Sequence, residues 1–256
     1  MSVEKIVTQG LAGIPHAFMG RQGGISQGIY AGLNTGLGSG DEPDAVAANR
    51  NAAVAAVRPG AQLCSVYQIH SARAVTVNAP DAGGAQARPR ADAMVTTARD
   101  VLLGIVTADC APVLLADSTA GVIGAAHAGW RGALAGVTDN TIALMEKHGA
   151  SRGSIRAAIG PCIGARSYEV DDRFVQIFAA DDEESRNFFK AGRCGHHLFD
   201  LGGYLAVRLA RAGVGKIELV DEDTVAQPDR FFSYRRSTLA GEAAYGRQIS
   251  LIALPT

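Results

Sequence analysis

The chain has 256 residues, of which 47% are apolar and 19% charged, and its formal net charge is −1. These values are typical of a globular protein with a sizeable core and exclude an intrinsically disordered chain. The near-neutral balance provides no basic footprint for nucleic acid, and no apolar run approaches the roughly 18 residues of a membrane span. Four scattered cysteines and an N-terminus without a secretory pattern predict a reduced, cytoplasmic protein rather than a disulfide scaffold.

The first predicted elements are a helix and an interrupted strand. Acidic residues around Pro43 are typical of a helix start, which predicts a helix over 45–57 that stops before Pro59. The loose alternation of apolar residues over 62–78 predicts a strand that is broken around His70.

Three short apolar runs in the middle of the chain predict buried strands over 101–106, 113–116 and 121–126. Pro112 lacks a backbone donor and predicts a break between the first two. Apolar residues at helical spacing from Leu134 to Met145 predict a helix that Gly149 ends.

The remaining predicted elements are strands over 155–159, 216–220 and 248–253 and helices over 171–190 and 200–212. Asp200 is the predicted cap of the last helix, and Cys194, His196 and His197 are predicted to lie in a surface loop before it. Hairpin-like and crossover connections both occur in this order. The sequence therefore predicts an α/β or α+β fold, a single compact domain over 1–256 with a mixed sheet flanked by helices.

His70, Cys110 and His127 each follow or end an apolar element, and they lie 40 and 17 residues apart. That spacing is too wide for a zinc finger, whereas three ligands from separate elements are typical of catalytic zinc with an open fourth position. Cysteine and histidine together favour zinc or copper over magnesium or calcium. Taken alone, a cysteine in an apolar stretch is more often a core residue, and a single histidine is more often a hydrogen-bonded core or surface residue, than a metal ligand.

Other side chains have two interpretations each. Asp109 is either an acceptor for a ligand imidazole or a turn residue, and Arg131 is either an anion contact at a helix start or a salt-bridge partner. Arg21 in a glycine-rich stretch either meets phosphate or belongs to a loop. Cys162 is either a nucleophile or a pocket-wall or core residue, and Trp130 either packs in the core or stacks on a base.

Four central motifs resemble those of the laccase-domain family, first described as polyphenol oxidases; they are Gln68–Ser71, Thr107–Val113, His127–Gly132 and Ile159–Gly164. The similarity also covers 21–26, 33–34, 40–50, 232–236 and 246–248, so it spans nearly the whole chain. The segment between Arg236 and Gly246 departs from the family pattern, because no acidic residue follows the arginine pair and no threonine precedes Gly246.

The resemblance implies that His70, Cys110 and His127 bind a metal, Zn²⁺ or alternatively copper. It also implies phosphorolysis of purine nucleosides (adenosine, inosine, guanosine or methylthioadenosine), with adenosine deamination as a further activity. The expected partners are therefore a nucleoside and phosphate, with neither nucleic acid nor membrane. Asp109 and Arg131 are the candidate catalytic residues. Arg21, Asn34 and Cys162, in stretches that carry the resemblance, are candidate contacts for substrate or phosphate.

Three alternatives stay open on the sequence. A copper polyphenol oxidoreductase matches the older family label, although six histidines are few for a multi-copper cluster. A cysteine hydrolase using Cys110 or Cys162 matches the name peptidoglycan editing factor, which some members carry. A metal-stabilised binding protein is the non-enzymatic alternative. For deamination, the H-x-E and P-C-x-x-C signature of zinc deaminases is absent from the chain.

Overall fold

The computed structural model describes residues 3–79 and 88–255, which form strands and helices in irregular alternation. The strands are β1 Lys5–Ile6, β2 His16–Met19, β3 Gln62–Cys64, β4 Ala74–Thr76, β5 Ala93–Thr96, β6 Val101–Thr107, β7 Ala111–Asp117, β8 Val122–Ala128, β9 Arg156–Ile159, β10 Glu169–Asp171, β11 Phe189–Ala191, β12 His196–Phe199, β13 Lys216–Leu219 and β14 Gln248–Ala253. The helices are α1 Pro43–Val57, α2 Trp130–Leu134, α3 Val137–Lys147, α4 Asp172–Asp181, α5 Leu201–Arg211 and α6 Tyr234–Leu239.

The described strands form two large mixed sheets and one small sheet. The first large sheet has the order β1-β2-β14-β6-β3, and the second has the order β13-β9-β7-β8-β5-β4. Both combine antiparallel and parallel pairs; β3, for example, runs parallel to β6, while β14 runs antiparallel to it. The small sheet, β10-β12-β11, is antiparallel throughout.

The two large sheets pack face to face. Successive side chains of a strand point to opposite sides, so each central strand contributes one row to the space between the sheets and one row to the outer face. In β7, Leu114 and Ala116 join the cluster between the sheets, whereas Val113 and Leu115 face the helices on the other side. Helix α1 covers the outer face of the first sheet, and α3 and α5 cover the outer face of the second. With both faces covered, the central strands are apolar at almost every position, which is why they are recognisable in the sequence.

The mixed α/β fold with helices flanking the sheets is confirmed. The predicted interruption around His70 is present, and it separates β3 in one sheet from β4 in the other. The assignment of residues 1–256 to one domain stays a prediction. In the part of the chain that the structure describes, no helix is both long and apolar enough to cross a membrane.

The helix predicted over 171–190 is too long. It ends at Asp181, and a 3₁₀ turn over 183–188 and strand β11 follow. Four consecutive acidic residues, 181–184, lie where the negative end of the helix dipole disfavours them, and Asp182 adopts an extended φ of −151°. The loop predicted around His196 is partly strand β12, because β10 and β11 pair with it on both sides. Local sequence does not encode that pairing.

Two smaller predictions also need correction. The single helix predicted from Leu134 is two helices, since Gly136 adopts a φ of 87° between α2 and α3. Pro112 does not break the chain: it is the second residue of β7 and lies opposite His127 of β8. The break comes earlier, at Asp109, whose φ is 82°.

Candidate metal centre

Three side chains with nitrogen or sulfur donors meet where the two large sheets are connected. His70 lies between β3 and β4, Cys110 lies between β6 and β7, and both segments cross from the first sheet to the second. His127 is the penultimate residue of β8. The donor atoms of this ligand triad (His70, Cys110 and His127) all lie within 4.8 Å of one another.

The ligand triad fits one metal ion. At tetrahedral angles, bonds of about 2.0–2.3 Å to zinc place donor atoms roughly 3.4–3.6 Å apart, so donor atoms that lie within 4.8 Å of one another can close around one ion after a contraction of up to about 1.4 Å. The floor of the centre is Gly129, where a Cβ would lie 2.8 Å from Sγ of Cys110 and 3.2 Å from Cδ2 of His70. Any side chain at Gly129 would therefore displace a ligand. One thiolate and two imidazoles suit zinc or copper.

The buried carboxylate of Asp92 organises two members of the triad. It accepts hydrogen bonds from the backbone N–H groups of His70, at 2.9 Å, and Ser71, at 2.6 Å, and from the Ser71 hydroxyl, at 2.7 Å. Its Oδ1 also accepts a bond from Nδ1 of His127 at 2.8 Å. The first set holds His70 at a φ of 58°, a left-handed conformation that few non-glycine residues adopt. The second leaves Nε2 of His127 as the metal-binding nitrogen.

The charges in the centre depend on one another. Burial alone would raise the pKa of the Asp92 carboxyl, but the bonds from His127 and Ser71 lower it to about 2. Burial would likewise raise the pKa of the Cys110 thiol, yet the charge and hydrogen bond of His127, with help from His70, lower it. The same interaction raises the pKa of His127 against the effect of burial. Cys110 is thus biased toward the thiolate, the form that binds metal.

Asp109 connects the Cys110 turn to the C-terminal part of the chain. Its carboxylate accepts bonds from Thr224 Oγ1 at 2.7 Å, Ser233 Oγ at 2.9 Å and the backbone N–H of Arg235 at 2.6 Å. Burial raises the pKa of this carboxyl, against the lowering effect of those bonds. The prediction that Asp109 receives the imidazole N–H is wrong for His127, whose Nδ1 is bound by Asp92.

A cavity of about 390 Å³ opens beside the triad. This aromatic cavity is lined by Trp130, Tyr168, Phe174 and Tyr234, together with Arg131 and Arg235. The rings of Trp130 and Phe174 lie 4.9 Å apart, so Trp130 both packs against the core and exposes a surface to the cavity. The two interpretations of Trp130 are therefore compatible.

A second cavity, of about 240 Å³, also reaches His70 and Cys110 and is lined in addition by His127. This basic cavity contains Arg88 and Arg247 with the rings of Tyr67 and Tyr245. Apart from His70, Ala108 and Cys110, the described linings of the two cavities have no residue in common. These three residues therefore line both cavities, and the two chemically different spaces adjoin at the ligand triad.

The other predicted contacts divide into two groups. Arg131 lines the aromatic cavity, with its guanidinium 4.4 Å from the Trp130 ring centre. Arg21, Asn34 and Cys162 lie outside the described linings of both cavities.

Each of these three has another environment. Arg21 donates to the carbonyls of Ala31 and Pro228 and packs over Phe232. Asn34 is fully buried, and its Oδ1 accepts from the backbone of Arg247. Cys162 belongs to the core cluster, where burial raises the pKa of its thiol and nearby carboxylates raise it further.

Sequence reasoning missed Asp92, Tyr168 and Phe174. For Asp92 a signal exists, because it is the only charged residue in the apolar run 91–95. A carboxylate at the start of a buried strand requires partners. Tyr168 and Phe174 carry no comparable signal, since they reach the cavity through the packing of the small sheet and α4.

Comparison with known proteins shows similarity over almost the full length. Residues 15–255 match the family described as multi-copper polyphenol oxidoreductase laccase. A protein of Deinococcus radiodurans named purine nucleoside phosphorylase is 41% identical over 243 residues, which are 94% of this chain and 90% of that protein. A Corynebacterium glutamicum protein of the same name, Cgl2154/cg2365, is 38% identical over 93% of both chains.

Solved structures agree with this similarity. The Neisseria meningitidis protein NMB0706, described as DUF152, superposes with a TM-score of 0.87 at 36% identity, covering 100% of both chains. YlmD from Geobacillus stearothermophilus gives a TM-score of 0.86 at 29% identity, covering 97% of this chain and 94% of that one. The resemblance carried by the central motifs is therefore confirmed, and the chain belongs to the multi-copper polyphenol oxidoreductase laccase family.

Proposed function

We propose that this protein is a zinc-dependent purine nucleoside phosphorylase, which transfers the glycosyl group of a purine nucleoside to inorganic phosphate. The observation that carries the proposal is the position of the ligand triad at the wall of an aromatic cavity of about 390 Å³. Cavities of roughly 300–1,000 Å³ are the usual size for small-molecule sites. The names of the relatives from Deinococcus radiodurans and Corynebacterium glutamicum support the same activity.

His70, Cys110 and His127 would hold the ion, for which copper is the alternative. A zinc ion bound by three protein ligands supplies a Lewis acid with one open position. The cytoplasm, which the sequence predicts as the location, is reducing and would keep the Cys110 thiol available as a ligand.

The aromatic cavity suits the base and its departure. The planar rings of Trp130, Tyr168 and Phe174 provide faces on which a purine can stack. As the bond from C1′ to the purine nitrogen breaks, the electron pair stays with the base and negative charge develops there. Arg131 and Arg235, both lining the cavity, stabilise that charge. Asp109 acts indirectly, because it binds the backbone N–H of Arg235.

The test is phosphate dependence. Zinc-loaded protein is incubated with adenosine, inosine, guanosine or methylthioadenosine, with and without inorganic phosphate, and free base and sugar phosphate are measured. Base release that requires phosphate and yields one sugar 1-phosphate per base supports the proposal. Base release that is equal without phosphate contradicts it. Inosine formed from adenosine in the same assay measures deamination, the further activity that we propose for this centre.

A cysteine hydrolase acting on a peptidoglycan precursor is a second candidate, and one observation favours it. Sγ of Cys110 and the donor nitrogen of His127 lie within 4.8 Å of each other, and Nδ1 of His127 is bound by Asp92. This is the order of nucleophile, base and orienting carboxylate found in cysteine hydrolases. Chelation separates the candidates: removing zinc abolishes phosphorolysis, whereas it exposes the Cys110 nucleophile of a hydrolase.

The polyphenol oxidase implied by the family description needs several copper ions. Within residues 3–79 and 88–255, the ligand triad is the one group of three or more metal-binding side chains close enough to hold an ion. We therefore propose chemistry at one metal. Metal analysis of protein purified without added metal should give about one zinc per chain, and several coppers per chain would favour the oxidase.

A further inference from the structure

The basic cavity differs in charge from the aromatic cavity, with which it shares His70, Ala108 and Cys110. Among the described residues that line the basic cavity, Arg88 and Arg247 are charged and none is Asp or Glu. The aromatic cavity, by contrast, has the carboxylates of Asp109, Glu169 and Asp171 in its wall. The charges of the described lining residues therefore favour an anion in the basic cavity, whereas the aromatic cavity has both positive and negative side chains in its wall.

Hydrogen bonds fix the backbone of Arg247, and a tyrosine ring and hydroxyl fix its side chain. Its N–H donates to Oδ1 of Asn34 at 2.9 Å, and its carbonyl accepts from the N–H of Thr35 at 2.9 Å. The guanidinium lies 4.5 Å from the ring centre of Tyr245 and donates to the Tyr245 hydroxyl at 3.0 Å. Among the described residues, no ion pair joins Arg247 to a carboxylate. The other donors of this guanidinium can therefore serve a ligand.

Two further arginines, Arg88 and Arg50, add positive charge at or near the basic cavity. Arg88 lines the cavity, with its guanidinium 5.9 Å from the Tyr67 ring centre. Arg50 is half-buried and donates to the Thr35 carbonyl and the Ser65 hydroxyl. Burial and the charge of Arg88 lower the pKa of Arg50 to about 10, so it stays a cation at neutral pH. Arginine is well matched to oxyanions because its donors form a planar fork.

We propose that the basic cavity is the subsite for inorganic phosphate, with Arg247 as its ligand and Arg88 as a further positive charge in its wall. This inference rests on the proposed phosphorylase function. With the sugar beside the shared residues His70, Ala108 and Cys110, phosphate in the basic cavity and purine in the aromatic cavity lie on different sides of it. A phosphate oxygen forms the new bond to C1′, and the purine leaves on the far side with the electron pair of the broken bond. Separate subsites thus allow an in-line displacement.

Arg247→Met tests the proposal because it removes the charge and the guanidinium donors and keeps an unbranched, flexible side chain. On zinc-loaded protein we expect the KM for phosphate to rise roughly tenfold or more, as for loss of a charge-assisted hydrogen bond. The KM for the nucleoside should change by less than about twofold, and Arg247→Lys should restore part of the phosphate affinity. Arg99→Met is the matched control, since Arg99 is exposed and lies outside both cavities.

Calorimetric titration with inorganic phosphate is the second measurement, and it does not require turnover. Wild type should bind phosphate, and Arg247→Met and Arg88→Met should bind it more weakly. If Arg247→Met does not fold, as judged by circular dichroism, Arg88→Met takes its place.

The outcomes separate this inference from the proposed function. Phosphorolysis with an unchanged KM for phosphate in both variants overturns the subsite and leaves the function standing. If wild type shows no phosphorolysis, the proposed function fails, and the calorimetry alone decides the subsite. In that case, phosphate binding that calorimetry detects in wild type and not in the variants still supports the phosphate subsite. Binding that is equal in variants and wild type, or absent in wild type, overturns it.

Discussion

The carboxylate of Asp92 lies 2.8 Å from Nδ1 of His127 and, through its remaining bonds, fixes the backbone that carries His70. One buried side chain thus sets the tautomer of one metal ligand and the left-handed conformation of another. His70 lies on the connection between β3 and β4, whereas His127 lies in β8, so Asp92 joins two separate segments of the fold in one hydrogen-bond network.

Asp92→Asn should weaken zinc binding roughly 10- to 100-fold, the usual effect of removing a carboxylate behind a metal-bound imidazole. The asparagine amide has a similar shape, but it offers one uncharged acceptor oxygen, whereas both oxygens of the Asp92 carboxylate accept hydrogen bonds in the wild type. Competition with a chelator of known affinity measures the effect. Nucleoside phosphorolysis at limiting zinc should fall in parallel.

Asp117→Asn is the control for that experiment. Asp117 is also buried, and it also accepts three backbone N–H bonds, from Thr119, Ala120 and Ser151, away from the ligand triad. The Asp117→Asn substitution should lower the free energy of unfolding and leave the zinc affinity unchanged. Equal zinc affinities for wild type and Asp92→Asn would contradict the role assigned to Asp92.

Asp109→Asn should lower kcat/KM for the nucleoside roughly tenfold while zinc content stays at one per chain. The reason is that the N–H of Arg235 loses a charged acceptor, so the Arg235 side chain is less well positioned in the aromatic cavity. Steady-state kinetics and metal analysis of the same preparation test both parts. Ser233→Ala removes only one bond to Asp109 and should have a smaller effect. Loss of zinc in Asp109→Asn would instead assign Asp109 to the metal centre.

The sequence predicts the ligand triad far better than its surroundings. His70 and Cys110 stand at interruptions of apolar strands that are crossings between the two sheets, and His127 lies at the end of β8. The apolar pattern marks these positions, and the motif resemblance assigns them as metal ligands. Asp92 is harder, because its partners lie 21 to 35 residues away and a single sequence does not pair them.

The errors in the predicted elements have the same physical origin. Strand β12, which contains His196, exists because β10 and β11 pair with it, and such pairing is not a local property. Arg21 stands in a glycine-rich stretch, yet its guanidinium is occupied by the carbonyls of Ala31 and Pro228, and Pro228 lies 207 residues away. Tertiary contacts therefore determine both the strand conformation of β12 and the hydrogen-bond partners of Arg21.

Trp130→Leu should raise the KM for purine nucleosides roughly tenfold with little change in zinc content, since base stacking on an aromatic ring is worth about 1–3 kcal/mol. Initial rates over a range of inosine concentrations test this. Phe188→Leu is the control, because Phe188 belongs to the same group of core aromatics, 5.4 Å from the Tyr204 ring, but does not line the aromatic cavity. Equal KM increases in both variants would indicate a general packing defect rather than a base contact.

His16 should make the stability of the protein depend on pH. This buried histidine is held neutral: Nε2 accepts from the N–H of Thr8 at 2.9 Å, and Nδ1 donates to the carbonyl of Ile14 at 2.7 Å. Burial lowers its pKa below the ordinary 6.5, against the effect of the bond to Ile14. Its contribution to the free energy of unfolding is therefore complete above pH 6.5 and is lost as the pH falls through the lower pKa of the folded state. Urea unfolding between pH 8 and 5 should show a steeper loss in wild type than in His16→Gln, which cannot take up a proton, and parallel profiles would contradict this assignment.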